Sequence, residues 1–368
     1  MKTPHLSLVL PALLILCGCQ ISRNVPTLPS DFQEVYVAGQ MKSPPVIDGK
    51  LDDPAWVDAP WTIEFGDIEG DAKPRPRFLT RAKMGWDKDY FYIAADMEEP
   101  HVWGTLTKRD SIIYNDNNFE VFIDPDGDNL DYYELEVNAL NTQFDLMLTR
   151  PYRCGGTYDI GWDIDGLKTA VDVRGTLNRS DDIDDGWSME IAIPWESMRS
   201  HANRPIPPQP GDQWPVNFSR VQWRHQLRED GSYERVPEVR EDNWTWTPQD
   251  AIDMHRPEYW GLVEFSAQPP GRGEFSIPDD AAAWTLLRRI HHAAEQYKSK
   301  NGHWPLSIEA MEGLYEPLSI EGLSKPGVRV ESDGYIVMVE QDHQDEIRVY
   351  QFGPGCHRSM TARARSLR

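Results

Sequence analysis

Short runs of alternating apolar and polar residues recur from residue 35 to residue 266. RFLTRAKMGWD, YFYIAADMEE, YYELEVNAL and WSMEIAIPW are examples, and Gly, Asp, Asn or Pro separates the runs. Alternation of this kind is typical of strands with one buried face, and no stretch of helical periodicity interrupts the series. The pattern therefore predicts a mainly-β fold, an antiparallel β-sandwich of jelly-roll-like organisation.

The chain changes character after residue 266. Residues 267–278, AQPPGRGEFSIP, are expected to form a linker. Asp279 or Asp280 can then cap a helix whose apolar residues recur at three- and four-residue steps, and Asn301-Gly302 ends it. A second short helix in GHWPLSIEAMEGL and two strands, GYIVMVEQ and EIRVYQFG, follow. We expect residues 279–356 to form a small α+β appendage and residues 357–368 a frayed basic tail.

The first 18 residues contain an early Lys and an apolar run too short to span a bilayer as a permanent helix. The run closes on LCGC, which resembles a bacterial lipobox, with a plain secretory signal as the alternative. The resemblance implies a lipoprotein signal peptide at residues 1–18, cleavage after Gly18 and lipidation of Cys19. Gln20 favours the outer membrane, and residues 19–43 are predicted to be a lipid-anchored tether. We expect an exported protein that faces the periplasm or the cell surface.

The overall charge and composition restrict the partner. The formal net charge of −23 argues against nucleic acid and anionic lipid surfaces, and a neutral or cationic ligand fits better. The 14 Trp and 14 Tyr residues exceed what a plain core uses, and such rings stack on the C–H faces of sugars, although many fill cores. Cys154 and Cys356 can be free thiols or a disulfide, which an exported chain permits. Neither C-x-x-C nor HExxH is present, so a zinc site is unsupported.

Glu120 is a carboxylate inside an apolar strand, NFEVFIDP. Alternation directs Phe119, Val121 and Ile123 to one face and Glu120 and Phe122 to the other. The carboxylate is therefore either a solvated bystander or a group that binds something polar.

Several ordered motifs between residues 44 and 266 resemble family 9 carbohydrate-binding modules and their lipoprotein relatives. They are PPVIDGKLDDPAWVDAP, MGWDKDYFYIAADMEEP, NNFEVFIDPDGD, YYELEVNA, GWSMEIAIPW and HRPEYWGLVEF. The resemblance implies a β-sandwich that holds a sugar chain end between two aromatic rings, with polar side chains around it. It also implies structural calcium and attachment to, or cooperation with, glycoside hydrolases.

The resemblance implies specific site residues. Tyr114 takes the place of a stacking tryptophan, and Glu120 that of a sugar-binding carboxylate. Glu136 stands where the family has an arginine, which reverses the charge, while Asn138 is retained. The second stacking tryptophan would fall before Gly261, where Met254 and His255 stand, so Trp246, with Trp244 beside it, is the candidate for the second ring.

The turn DPDGDNLD gathers four carboxylates, and hard cations such as Ca²⁺ prefer several oxygen ligands. Asp124, Asp126, Asp128 and Asp131 are therefore candidate calcium ligands. A solvated acidic turn without a metal is the alternative.

Two other functions stay open. Glycosidase chemistry needs two carboxylates at a set separation, and no pair stands out in so acidic a sequence. A haem-binding electron-transfer sandwich would draw on His101, Met97 and Met147, although no C-x-x-C-H is present. The sequence favours a non-catalytic module that binds poly- or oligosaccharide, and that supports carbohydrate catabolism alongside glycoside hydrolases.

Overall fold

The structure is a computed structural model that describes residues 31–318, 322–331, 334–343 and 346–364. The predicted leader, Cys19 and the first part of the predicted tether lie outside these residues. Strands dominate as far as residue 266, as the alternating runs predict: β1 Val35–Gln40, β2 Gly66–Asp67, β3 Thr80–Trp86, β4 Tyr90–Glu98, β5 Asn118–Ile123, β6 Tyr132–Asn138, β7 Gln143–Leu148, β8 Tyr158–Asp159, β9 Lys168–Arg174, β10 Gly186–Pro194, β11 Gln213–Gln222, β12 His225–Leu227, β13 Tyr233–Arg235, β14 Asp242–Thr245 and β15 Gly261–Ser266.

The strands of the sandwich form one curled sheet in the order β8-β7-β6-β5-β11-β15-β1-β3-β4-β10-β9, and β14 pairs with β11 and β2. Nearly all neighbouring strands are antiparallel, as predicted, but β1 runs parallel to both β15 and β3. This strand lies inside the segment predicted to be tether, so that prediction is wrong from residue 35 to residue 40. The alternation in VYVAGQ buries Tyr36 and Ala38 in the core, which makes the segment part of the sandwich.

The core lies between the two halves of the curled sheet. Phe119, Val121 and Ile123 face it, and their neighbours Glu120 and Phe122 point away, as the alternation predicts. Tryptophan rings contribute much of its bulk: Trp86, Trp187, Trp195, Trp214, Trp244 and Trp246 all belong to this cluster. Many of the aromatic residues counted in the sequence therefore fill the core.

The predicted linker packs against the sandwich along part of its length. Gln40 donates its backbone N–H to the carbonyl of Gln268 at 2.9 Å, and Ser276 donates to the Glu264 carboxylate at 2.7 Å. A Cβ at Gly39 would lie 2.4 Å from the backbone nitrogen of Pro270, so only glycine allows this approach.

The C-terminal appendage contains helix α1 Ala281–Asn301, with Asp280 at its N-cap, and the antiparallel strands β16 Gly327–Glu331, β17 Gly334–His343, β18 Glu346–Phe352 and β19 Arg358–Ala364. Gly302 ends the helix at φ 80°, as predicted. The predicted second helix is only the short 3-10 turn Glu309–Met311. The tail prediction is wrong for residues 358–364, because β19 completes the sheet beside β18.

Within the described residues, no helix combines the length and apolar character that crossing a bilayer requires.

A disulfide and an ion network join the appendage to the sandwich. Cys154 and Cys356 form a disulfide with their Cα atoms 5.9 Å apart, which settles the pairing that the sequence left open. Arg153 contacts the Glu258 carboxylate at 2.7 Å and Glu295 of α1 at 3.3 Å. These contacts fix α1 beside the loop that follows β7.

Candidate functional site

The outer face of β5 and β6 gathers buried carboxylates. Glu120 lies directly opposite Glu136 in the ladder, and Glu134 follows two positions along the same face of β6. Their exposed fractions are only 5, 3 and 7 %. We call Glu120, Glu134 and Glu136 the carboxylate pit.

One amide links two members of the pit. Asn118 Nδ2 donates to Glu120 Oε1 at 3.1 Å and to Glu136 Oε2 at 3.2 Å. Within the described residues none of the three glutamates forms an ion pair. Burial raises the pKa of Glu120 to about 7, and it raises the pKa values of Glu134 and Glu136 well above their ordinary range. The pit is therefore a buried cluster of carboxyl groups that no described Lys or Arg side chain pairs with.

Tyr114 stands at the rim of the pit. It lies in the 3-10 turn Ile113–Asn115, with 47 % of its surface exposed. A hydrogen bond from its backbone lowers the pKa of Glu136, and its carbonyl accepts the indole N–H of Trp223 at 2.8 Å. The predicted pair Tyr114 and Glu120 thus lies in one region of the protein, where the backbone of an exposed tyrosine adjoins buried carboxylates.

Asn138 forms hydrogen bonds within the protein, whereas the resemblance implies that it binds sugar. Its Nδ2 donates to the Leu106 carbonyl at 2.9 Å and to Asp116 Oδ2 at 3.0 Å, while its Oδ1 accepts the N–H groups of Leu140 and Thr142. The amide has no capacity left for a ligand. Asn138 instead holds the loop that carries Tyr114.

Trp246 is not a ligand platform. Its exposed fraction is 1 %, its ring packs on Phe218 at 5.8 Å, and a Cβ at Gly261 would lie 2.6 Å from it. Trp244 is 2 % exposed, and the Arg220 guanidinium lies 5.2 Å from its ring. Both predictions of a stacking ring are therefore wrong, because strand β14 and the residues after it turn these indoles into the core.

Tyr152 offers the exposed ring that the tryptophans do not. It begins the 3-10 turn Tyr152–Cys154 with 43 % of its surface exposed. Partial burial, and then the proximity of Glu134 and Glu136, raises the pKa of its phenol. The His255 ring packs against it at 4.5 Å, edge to face. His255 occupies the stretch where a second stacking tryptophan was expected, and it supports a ring from another loop.

The acidic turn after β5 brings three of the four predicted ligands together. Oxygens of Asp124, Asp126 and Asp128 lie within 4.8 Å of one another, and Asp131 is outside the group. Asp124 accepts N–H groups of Gly127 at 3.0 Å and Asn129 at 2.9 Å. Burial and the neighbouring carboxylates raise the pKa of Asp124, and the buried Oδ1 of Asn129 has no hydrogen-bond partner. These oxygens suit a hard cation.

The residues of the haem hypothesis are engaged in packing. Met97 and Met147 belong to the main core. His101 contacts the Tyr233 hydroxyl through Nδ1 at 2.9 Å, and the His225 ring lies 4.8 Å away.

A cleft of about 1550 Å³ lies between residues 63–79 and α1. Its walls mix cationic and acidic side chains, among them Arg77, Arg288, Glu64 and Glu98. The cleft includes neither Tyr114 nor any member of the carboxylate pit. It is therefore separate from the site that the sequence indicates.

The sequence singled out Tyr114, Glu120 and Glu136, whereas it did not indicate Glu134, Tyr152 and Ser219, which lie in the same candidate region. The i, i+2 spacing in YYELEVNA could have revealed Glu134, because alternation places it on the face of Glu136. Ser219 could not be found, because it reaches Glu120 through a ladder between strands distant in sequence. Tyr152 lies in a loop without a strand pattern.

Comparisons with known proteins agree with the motifs. A family model described as "Carbohydrate family 9 binding domain-like" matches residues 47–266, more than half of the 368 residues. Exoglucanase XynX of Acetivibrio thermocellus is 31 % identical over 164 residues, which are 44 % of this chain and 12 % of that protein. Endo-1,4-beta-xylanase A of Thermotoga maritima is 26 % identical over 181 residues, 47 % of this chain and 14 % of that protein. The matches thus span roughly an eighth of these relatives.

Among solved structures, a family 9 carbohydrate-binding module from Caldicellulosiruptor kristjanssonii in complex with cellotriose aligns with a TM-score of 0.42 and 16 % identity. It covers 67 % of this chain and 100 % of that one. The glucose complex of a family 9 module from that organism gives a TM-score of 0.42 and 18 % identity, with the same coverage. The extent of the family-model match decides the assignment: this chain belongs to the carbohydrate family 9 binding domain-like family.

Proposed function

We propose that the protein binds the end of a poly- or oligosaccharide at the carboxylate pit, and that it does so without catalysing a reaction. The observation that carries the proposal is the exposed Tyr114 ring beside the buried carboxylates Glu120 and Glu136, within the family-matched region. An aromatic face provides an apolar platform for the C–H face of a sugar ring, and carboxylate oxygens accept its hydroxyl groups. Tyr152 is the second ring of the site.

A glycan array followed by titration calorimetry tests this function. Tyr114→Ala and Tyr152→Ala are each expected to weaken binding roughly five- to a hundredfold, because removing an aromatic platform costs about 1–3 kcal/mol. Ile183→Ala is the control, since its side chain is 72 % exposed on a different loop. Unchanged affinity in both tyrosine variants, with melting curves like that of the parent, would reject the assigned site.

The names of the relatives indicate which enzymes a module of this family accompanies. Two of them are named as an exoglucanase and an endo-xylanase, and the matched part is a small fraction of each. A module of this family beside such enzymes supports polysaccharide capture during carbohydrate catabolism. We expect this chain to serve glycoside hydrolases in the same way.

A calcium ion at the turn after β5 is a second part of the proposal. Asp124, Asp126 and Asp128 would hold it, and the same turn contains the unpartnered Oδ1 of Asn129. In the other acidic group, Asp110, Asp145 and Asp163, Arg109 lies 2.5 Å from Asp145 and 2.6 Å from Asp163 and already offsets part of the negative charge. Chelation is expected to lower the melting temperature of the parent but not of Asp126→Asn. No shift in protein shown by atomic spectrometry to have carried calcium would contradict this site.

Export and lipid anchoring through Cys19 complete the proposal. The disulfide between Cys154 and Cys356 supports an oxidising compartment. Cys19→Ala is expected to move the protein from the outer-membrane fraction to the soluble fraction, while Cys17→Ala leaves the fractionation unchanged. An unlipidated parent mass would contradict the anchor.

A further inference from the structure

The carboxylate pit groups three acidic side chains without a basic partner among the described residues, which is unusual for a site that binds neutral sugars. Glu120, Glu134 and Glu136 are each more than nine-tenths buried, and no described Lys or Arg forms an ion pair with any of them. A buried ionised carboxylate is costly unless it is paired, so these groups are held neutral or await a cation.

The ionisable groups near the pit do not offset the negative charge that its glutamates carry when ionised. Arg153 is paired with Glu258 and Glu295, and Arg235 stacks on Trp223 and donates to Asn115. Burial lowers the pKa of His255 to about 4, so its ring is neutral near pH 7. The proximity of Glu241 adds negative charge to the surroundings of Glu120.

A second, independent feature indicates a ligand. Ser219 is fully buried and stands opposite Glu120 in the β11–β5 ladder, so both side chains lie on the same face. Its hydroxyl lies close enough to Glu120 to lower the pKa of that carboxyl, yet it forms no hydrogen bond of standard geometry. A buried hydroxyl without a proper partner beside an acceptor cluster suits a ligand that brings both donors and acceptors.

Aromatic rings at the rim complete the recognition of a cation. Tyr114 and Tyr152 are both exposed, and Tyr152 lies near Glu134 and Glu136. Ring faces attract ammonium groups, and buried carboxylates bind them through charge-assisted hydrogen bonds. A sugar hydroxyl gains much less from such a site than an ammonium group does.

We propose that the preferred ligand is a sugar end with a free amino group, a 2-amino-2-deoxyhexose whose ammonium is held by Glu134 and Glu136 while Glu120 and Ser219 bind its hydroxyls. This inference rests on the proposed function and names the sugar class for the same site. Neutral and N-acetylated sugars leave the carboxylates uncompensated and bind less tightly.

Titration calorimetry with three β-1,4-linked disaccharides of equal size tests the inference: the glucosamine disaccharide, its di-N-acetyl form and cellobiose. The glucosamine disaccharide is expected to bind at least roughly tenfold more tightly than the other two, since a charge-assisted hydrogen bond exceeds a neutral one by about that factor. Glu134→Gln and Glu136→Gln are each expected to remove the preference for the amino sugar, so that the three disaccharides then bind with similar affinities. Glu196→Gln, at an exposed glutamate, is the matched control.

Proton release gives a second measurement that does not depend on variants. At pH 6 the ammonium group is expected to displace protons from the pit, so the binding heat of the parent protein depends on the ionisation enthalpy of the buffer. Cellobiose is expected to release none. Absence of proton release with the amino sugar would overturn the inference even if the glutamine variants fail to fold.

The outcomes separate the two proposals. Equal affinity for amino and neutral disaccharides overturns the amino-sugar inference and leaves the carbohydrate site standing. Binding of Ca²⁺ that Glu136→Gln abolishes, without a preference for the amino sugar, also overturns it. Absence of binding to every glycan overturns both proposals.

Discussion

Two regions of this protein bury glutamates, and they treat them in opposite ways. At the junction between sandwich and appendage, Arg153 and Arg256 offset the burial of Glu258 and lower its pKa to about 2. In the carboxylate pit no described cation is paired with Glu120, and burial raises its pKa to about 7. Both glutamates are buried, so burial alone does not set the protonation state of a carboxyl group in this fold. The presence of a cationic side chain beside it does. The first region holds two parts of the chain together, and the second is the region where we propose that a ligand binds.

The largest effect is expected at the junction. Arg153→Met removes the cation closest to Glu258 and leaves a buried charge poorly compensated, so the free energy of unfolding should fall by about 3–5 kcal/mol. Urea denaturation measures the change. Arg179→Met is the control, because its ion pair with Asp181 is exposed and contributes little. A loss as small as that of the control would mean that the junction does not depend on its ion network.

The disulfide at the same junction ranks second. Replacing Cys154 and Cys356 together with Ser is expected to lower the free energy of unfolding by about 2–5 kcal/mol, because the bridge restrains a chain separation of 202 residues in the unfolded state. Comparison of thermal unfolding with and without reducing agent provides an independent check on the parent. Equal stability of parent and double variant would show that the remaining contacts suffice.

The pit and the junction should differ in their response to pH. Glu258 has a lowered pKa, so its stabilising contribution is present above about pH 4.5 and is lost as the pH falls toward 2. Glu120 has a raised pKa, so its contribution is most favourable below about pH 4.5 and becomes costly as the pH rises through 7.

Glu120→Gln isolates the contribution of Glu120 to the pH dependence of stability. It is expected to have the smallest effect of these variants. The variant should gain stability relative to the parent as the pH rises from about 4.5 to 7, by up to about 3 kcal/mol, and the gain should then level off. Denaturation curves across this range measure the difference. A difference between variant and parent that stays constant with pH would contradict the raised pKa of Glu120.

The sequence predicted much of the sandwich, because period-two alternation is a local signal. The orientation of Glu120 away from Phe119 and Val121 follows directly from it and is confirmed. The depth of Glu120 could not be predicted, because loops from distant segments cover the outer face. The family resemblance located β5 and β6 but not the second aromatic ring. Trp246 has the right residue type, yet its direction depends on the packing of Gly261 against it.

The parallel strand β1 and the tail strand β19 were missed for a related reason. β1 pairs with residues more than 200 positions along the chain, whereas β19 forms a hairpin with its neighbour β18, and the short sequences of both carry weak local signals. The polar residues around VYVAGQ and the basic residues of RSMTARA suggested a tether and a frayed end. Long-range pairing decided the case of β1, and pairing with the adjacent strand β18 decided that of β19.

The position of Asp31 has a mechanical consequence. Arg289 Nε donates to Asp31 Oδ2 at 2.8 Å, and Arg288 also contacts this residue, so the chain is clamped to α1 just before it enters β1. Tension applied through the N-terminal segment is therefore borne first by the appendage. The disulfide passes that load to the loop of Tyr152, at the rim of the pit. For a glycan held at the proposed site, a pull against the N-terminal segment would therefore load this braced route before the hydrogen bonds between β1 and β15.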